Sequence, residues 1–336
     1  MKLNILFRTA GGRSKGKELG TGHLFRCINL QQRLKNHKAY FLIEDYGNAK
    51  KILKSNSINH IITLKKNITV ENDIHKTKLL IKNKIIDLII VDKFKTEIKY
   101  LREINKIIKV VYVSDLWKIN FPADLVINGF IGFKNSIKKN KYNSRCLLGP
   151  NYQILNKEFN NRNKIQEKKY DVLVTFGGYD EHNIIEIFCK AIINLKNKSK
   201  IKIIVGPSAK NIKKIYIFKK KFQGDLSICR QTNSMFNQLA VSRIGICSGG
   251  ITSYEFAAFN HPFAIICQHK HQLKTAKIWQ QLGFAKNLGM PKKSTANDIE
   301  KFLTIHANKR KYVKRKIVDG NGTLRIEKEI LRLFKK

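Results

Sequence analysis

Three short segments of this chain combine glycines with residues that can move a proton or hold an anion. The first is Gly20-Thr21-Gly22-His23-Leu24-Phe25-Arg26-Cys27. Gly20 and Gly22 permit a tight turn and close backbone approach, and a helical pattern begins directly after them. His23 then stands at a helix N-terminus, where the dipole favours the neutral imidazole that a general base needs. A capped helix with structural glycines would leave the same trace. The second segment is Val174-Thr175-Phe176-Gly177-Gly178-Tyr179-Asp180. It reads as a strand followed by Gly177 and Gly178, whose N–H groups suit either an anion site or a plain turn. The third is Ile246-Cys247-Ser248-Gly249-Gly250-Ile251-Thr252-Ser253-Tyr254-Glu255. A buried strand runs into Ser248, Gly249 and Gly250, and a helix opens with Thr252 and Ser253 in its first turn. Such a terminus can hold a diphosphate through N–H groups and hydroxyls. Glu255, within the first two turns, can accept two hydrogen bonds from a ribose diol or simply complement the dipole. His269, His271 and Gln272 follow a later strand end, which puts polar side chains at the mouth of a cleft.

The elements that must position these residues are legible as short apolar runs alternating with amphipathic, lysine-rich stretches. Leu3–Phe7, Ala39–Ile43, Leu88–Val91, Val110–Val113 and Leu125–Ile127 read as buried strands, and His23–Leu34 reads as a helix. Strands resume at Val172–Phe176, Ile201–Val205, Leu226–Cys229, Ile244–Cys247 and Phe263–Cys267, and Leu324–Phe334 suits a final amphipathic helix. This alternation predicts an α/β fold of two Rossmann-like domains, their parallel sheets facing across a cleft. The expected division is 1–150, a polar linker at 151–169, a nucleotide-binding half at 170–318 and a C-terminal helix at 319–336. Ligands in open sheets of this kind sit beyond the carboxyl ends of the strands.

Composition narrows the function. The 336 residues carry 66 Lys+Arg against 24 Asp+Glu, a net charge of +42. The lysines are spread evenly beside Ile and Asn, as in Lys106-Ile107-Ile108-Lys109, with one denser run at Lys309–Lys316. No stacked-aromatic motif, recognition helix or zinc finger accompanies them. The excess therefore reads as solvated faces and not as a specific nucleic-acid site, although it would also suit peripheral contact with anionic lipid. No apolar stretch approaches a membrane span, and the N-terminus reads as a first strand, so a cytoplasmic protein is expected. Cys27, Cys146, Cys189, Cys229, Cys247 and Cys267 are too widely spaced for a paired metal site and read as reduced thiols. There is no Gly-x-x-x-x-Gly-Lys-Ser/Thr loop, His-Glu-x-x-His pair, Gly-x-Ser-x-Gly elbow or Asp-x-Asp pair. A reaction needing neither metal nor cofactor is expected.

Taken in order, the motifs resemble a known family. They are Arg8, Gly20-x-Gly22-His23-x-x-Arg26, Asp87–Asp92, Ser114-Asp115, Asp124–Asn128 and Gly149-Pro150-x-Tyr152. Then come Phe176-Gly177-Gly178-x-Asp180 with Asn183, Ser248-Gly249-Gly250 through Glu255, Gln272, and Asp319-Gly320-x-Gly322-x-x-Arg325-Ile326. The set resembles the UDP-sugar hydrolase of pseudaminic acid biosynthesis and the related spore-coat polysaccharide proteins. These in turn are similar to MurG-type glycosyltransferases of the GT-B fold. The resemblance implies that His23 activates or positions water at the anomeric carbon, that Glu255 grips the ribose, and that the loop from Ser248 to Ser253 holds the diphosphate of a UDP-sugar. It implies a sugar site drawn from Arg8, Gly22, Arg26, Asp92, Phe94, Asp115, His271 and Gln272. The implied reaction is anomeric C–O cleavage with inversion, releasing UDP and free sugar. A related inverting transferase is the alternative, and a non-enzymatic basic protein the remote one. Two positions depart from the family: Asp92-Lys93-Phe94 replaces an Asp-His-Tyr run, and His271 replaces an asparagine before Gln272.

Overall fold

A computed structural model describes residues 2–14, 17–160, 167–193, 199–206, 212–230, 232, 234–293, 295–307 and 317–335. The lysine-rich run at 309–316 lies outside these residues, and so does part of the polar segment between the two strand series. The chain divides into two compact units, Met1–Lys157 with Gly320–Lys336, and Glu158–Asp319.

The first unit runs β1 (Asn4–Ser14), β2 (Lys17–Gly20), α1 (Gly22–Arg33), β3 (Lys38–Tyr46), α2 (Ala49–Ser55), β4 (Ile61–Leu64) and α3 (Val70–Lys84). It continues with β5 (Leu88–Asp92), α4 (Ile98–Asn105), β6 (Lys109–Val113), β7 (Leu125–Asn128), β8 (Ser136–Lys139) and β9 (Arg145–Leu148). The sheet order is β4-β3-β1-β5-β6-β7-β9-β8, with β2 paired to β1. The strands are parallel except β2, against β1, and β8, against β9. Strand alternation sends side chains to two cores. Ile5 and Phe7 join Leu24, Cys27 and Ile28 of α1 on one face, while Leu6 joins Leu42, Ile89 and Tyr100 on the other. Apolar character ends at Phe7, yet β1 pairs with β3 as far as Gly12↔Tyr46. The extra length runs through buried Arg8 and Thr9, which hydropathy reads as the end of a strand.

The second unit contains β10 (Tyr170–Thr175), α5 (Ile184–Ile193), β11 (Lys200–Val205), α6 (Ile212–Lys221), β12 (Asp225–Arg230), α7 (Met235–Ala240) and β13 (Ser242–Cys247). After these come α8 (Ile251–Ala258), β14 (Phe263–Ile265), α9 (Gln272–Gln281), β15 (Ala285–Asn287) and α10 (Thr295–Ala307). Its sheet is wholly parallel, in the order β12-β11-β10-β13-β14-β15. Both units are thus doubly wound. The strand order reverses between β1 and β5 in one and between β10 and β13 in the other, the points at which such sheets leave a crevice for ligand.

The last helix, α11 (Gly322–Arg332), belongs to the first unit. Ile326 and Ile330 are fully buried in the core that contains α1. Gly322 lets this happen, because a Cβ there would stand 2.1 Å from the Gln153 carbonyl oxygen. Arg325 donates to the Asn151 carbonyl at 2.9 Å, and Arg33 pairs with Glu327 at 2.6 Å.

Ile330→Ala should therefore destabilise the first unit by about 2–5 kcal/mol, the usual cost of a cavity of that size. Hydrogen exchange read strand by strand should show lost protection in β1, β3 and β5 with β10, β11 and β13 unchanged. Equal loss in both units would contradict this division.

Candidate active site

In the first unit the β1/β5 reversal brings His23, Arg26 and Asp92 together. Gly20 turns the chain with φ +64°, and α1 then presents His23 and Arg26 one turn apart. Asp92 ends β5 and is fully buried. His23 Nδ1 lies 2.6 Å from Asp92 Oδ1. Arg26 grips the same carboxylate through Nε at 2.8 Å and Nη2 at 2.7 Å, and reaches Asp115 Oδ1 through Nη1 at 2.6 Å. Burial alone would lower the Arg26 pKa, but Asp115 and Asp92 raise it well above its ordinary value.

Arg26 Nη2 also lies 2.8 Å from His23 Nδ1, and this contact decides the tautomer. A guanidinium only donates and a carboxylate only accepts. If Nδ1 were bare it would accept from Arg26, but its lone pair would then face Asp92 Oδ1 at 2.6 Å. With Nδ1 protonated, it donates to Asp92, and Arg26 donates to the same carboxylate. The second arrangement satisfies every group. It leaves Nε2 as the basic nitrogen, and Nε2 makes no hydrogen bond to a described residue. An imidazole held this way can take a proton.

Arg8 departs from its expected place in a sugar site. It is fully buried, and Nε and Nη2 bond Asp73 at 2.9 and 2.8 Å, Nη2 bonds Glu44 at 2.6 Å, and Nη1 donates to the Thr9 carbonyl. Lys93 joins the same carboxylates at 3.1 Å (Glu44) and 2.8 Å (Asp73). Burial pushes the Glu44 and Asp73 carboxyls up, but Arg8 and Lys93 more than reverse this and hold both below the usual range. The Lys93 departure from the family pattern is thus absorbed structurally. Arg8 cannot reach a ligand without breaking these bonds. Phe94 is 46% exposed, its ring 6.4 Å from that of His23.

In the second unit the loops after β10, β13 and β14 converge. Gly177 turns with φ +74°, beside Gly178, and Asp180 Oδ1 and Oδ2 accept from Ile184 N–H at 2.7 Å and Ile185 N–H at 2.9 Å, capping α5. Ser248 and Gly249 lead to Gly250, the N-cap of α8, and no side chain caps that helix. Ser248 is buried and makes no hydrogen bond to a described residue. Gly249 packs on Gln272, where an added Cβ would meet the Gln272 Cβ at 2.9 Å. Ser253 departs from the hydroxyl donor expected of a diphosphate loop. It is fully buried, donates to the Gly250 carbonyl at 2.7 Å and accepts from Trp279 Nε1 at 3.1 Å. Thr252 stays partly exposed in the first turn. Glu255 lies one turn further along, and burial pushes its carboxyl up to about 7 against the opposing pull of Thr252.

Sequence reading did not single out Gln268, which ties these loops together. Its Nε2 donates to the Phe176 carbonyl at 2.7 Å, its Oε1 accepts from Glu181 N–H at 2.9 Å, and its own N–H donates to Gln272 Oε1 at 2.9 Å. Gln272 is thereby engaged within the protein. His271 stacks on His269, with ring centroids 5.3 Å apart. Among the described residues no group of three or more His, Cys, Asp or Glu is arranged to hold a metal ion. No helix among them is long and apolar enough to cross a membrane.

No family model matches the chain. The spore coat polysaccharide biosynthesis protein SpsG of Bacillus subtilis (strain 168) is 26% identical over 330 residues, covering 93% of this chain and 94% of the relative. The chain is similar to SpsG over nearly its whole length. Among solved structures, Acinetobacter baumannii MurG matches with a TM-score of 0.66 at 14% identity, covering 98% of this chain and 99% of MurG. S. aureus MnaA, solved with UDP, matches at 0.64 with 13% identity over 99% and 97%. The chain therefore has the GT-B type of fold, two parallel-sheet α/β units.

A carboxyl with a pKa near 7 when folded and about 4.3 when unfolded binds more proton in the folded state between those values. Stability then falls as pH rises across that window and is level above it. Glu255→Gln should remove the slope. Urea unfolding between about pH 5 and about pH 8 should show the variant gaining on the wild type as pH rises. A constant gap would mean that Glu255 titrates like an exposed glutamate.

Proposed function

We propose that the chain is a cytoplasmic nucleotide-sugar enzyme of polysaccharide biosynthesis that hydrolyses a UDP-sugar with inversion at the anomeric carbon. The observation that carries this reading is the 2.6 Å contact of His23 Nδ1 with Asp92 Oδ1, which leaves Nε2 to take a proton from water. The SpsG relative supports a polysaccharide role, and among the proteins of like fold one was solved with UDP. The sugar is of the diacetamido-trideoxyhexose class implied by the resemblance.

The step is a displacement. The water oxygen bonds to the anomeric carbon while the bond to the β-phosphate oxygen breaks, and its electron pair leaves with UDP. His23 Nε2 takes the proton of the water. The Asp92 carboxylate on Nδ1 offsets the imidazolium as it forms. The uncapped N–H groups of α8 and the Gly177-Gly178 turn receive the negative charge that develops on the diphosphate. Glu255 accepts both hydroxyls of the ribose, in the ionised form.

His23→Ala should lower turnover by about 10²–10⁴-fold, the usual contribution of a general base, with UDP affinity near normal. Wild-type turnover in that variant would remove the acid–base role. Glu255→Ala should weaken UDP binding by about 1.5–3 kcal/mol in calorimetry, and wild-type affinity for UDP should fall as pH drops below about 7. The reaction itself is tested by incubating the protein with UDP-linked diacetamido-trideoxyhexoses without acceptor, following UDP by chromatography and sugar configuration by NMR. UDP release with inverted free sugar supports hydrolysis. Turnover only after a glycan or lipid-linked acceptor is added would assign a transferase instead.

A further inference from the structure

The stretch from 187 to 224 contains eleven lysines and no aspartate or glutamate. Helix α6 (Ile212–Lys221) lies within it. Ile215, with Phe222 just past the last turn, is buried in the core of the second unit, which fixes the inner face of the helix. On the outer face Lys213, Tyr216, Ile217 and Lys220 form one stripe at i, i+3, i+4 and i+7, flanked by Lys214 and Lys221. All six are exposed, Tyr216 at 46% and Ile217 at 55%. A single exposed apolar residue is ordinary on a protein surface. Two adjacent ones set among four lysines make the outer face amphipathic as well as the whole helix.

The fold leaves this face open. Helix α5 packs between α6 and α10, and β12, which follows α6, is the edge strand of its sheet. Helix α6 is therefore the outermost of its layer. Glu186 of α5 pairs with Lys214 at 3.4 Å and with Lys190 at 3.1 Å. Among the described residues, Lys213, Lys220 and Lys221 are paired with no carboxylate, so the face keeps its positive charge.

We propose that the outer face of α6 docks on an anionic lipid bilayer. This stands apart from the nucleotide-sugar reading and does not depend on it. Lysine ammonium groups stay at the level of the lipid phosphates while their methylene stems lie along apolar surface. Ile217 and the Tyr216 ring then enter the boundary between headgroups and acyl chains, with the phenol oxygen on the polar side. A nucleic acid would engage the lysines but leave Ile217 in water, so the apolar pair favours lipid. The net charge of +42 draws the chain towards any anionic surface, and the α6 face sets which side of it lands.

The test is flotation of the full chain with vesicles of phosphatidylcholine alone or mixed with phosphatidylglycerol. Wild type should float only with the anionic vesicles. Lys213→Ser, Lys220→Ser and Lys221→Ser combined should weaken binding about a hundredfold, each lysine contributing roughly fivefold. A control carrying Lys65→Ser, Lys66→Ser and Lys82→Ser, exposed lysines of the first unit, loses the same charge and should stay within about threefold of wild type at physiological salt. Tyr216→Ser with Ile217→Ser should cost about tenfold or more at unchanged charge. All these variants alter exposed side chains and should melt with the wild type. Equal weakening by the two lysine sets, or no binding to anionic vesicles, overturns the proposal. Full vesicle binding after loss of Tyr216 and Ile217 overturns it too. So does an α6 variant that keeps vesicle binding and loses binding to duplex DNA, which would assign the face to nucleic acid.

Discussion

The Asp92 carboxylate is fully buried, and its two oxygens are held by an imidazole and a guanidinium. Much of the first unit is organised around that contact. It requires β5 beside β1, so that the strand ending in Asp92 meets the helix that follows β1 and β2. It requires Gly20 at positive φ, so that α1 starts with His23 facing β5. It requires Asp115 from β6 to take the far edge of Arg26, because a buried guanidinium left half-paired would carry a heavy desolvation cost. Three consecutive strands of the sheet thus contribute to the orientation of one ring.

The second unit meets a different constraint around the start of α8. Its loops offer N–H groups at the start of α8 and a carboxyl that burial makes reluctant to ionise. A neutral or half-ionised Glu255 repels a diphosphate less than a full carboxylate would. Gln268 makes the loops a single body, bridging the ends of β10 and β14 through its side-chain amide.

The fold was largely legible because burial of parallel strands leaves continuous apolar runs, and each run overlaps a strand, overshooting it by two residues at most. β4 and β9, four residues each, were not, since runs that short between charged residues resemble loop. The candidate site was legible where local spacing carries it, as in Gly20-x-Gly22-His23-x-x-Arg26 and Ser248-Gly249-Gly250. It was not legible where the partner lies far along the chain. Nothing near Arg8 indicates that Glu44 and Asp73, 36 and 65 positions away, will enclose it. Nothing in Thr252-Ser253 says which hydroxyl turns inward, because that depends on Trp279. Side-chain destination is a tertiary property, and a segment alone does not contain it.

Arg8 and Arg26 make the same point in electrostatic terms. Each is an arginine held by two carboxylates on the ends of neighbouring strands or helices. Around Arg8, Lys93 adds a second cation, so two positive groups meet Glu44 and Asp73 and the cluster is neutral. A neutral, closed cluster gains nothing from a further proton and resists one, because an added charge there would have no partner. Around Arg26, the guanidinium meets Asp92 and Asp115. The Asp92 carboxylate also lies against His23 Nδ1. The chain uses one motif twice, an arginine between two carboxylates, and at Arg26 one of those carboxylates holds an imidazole as well.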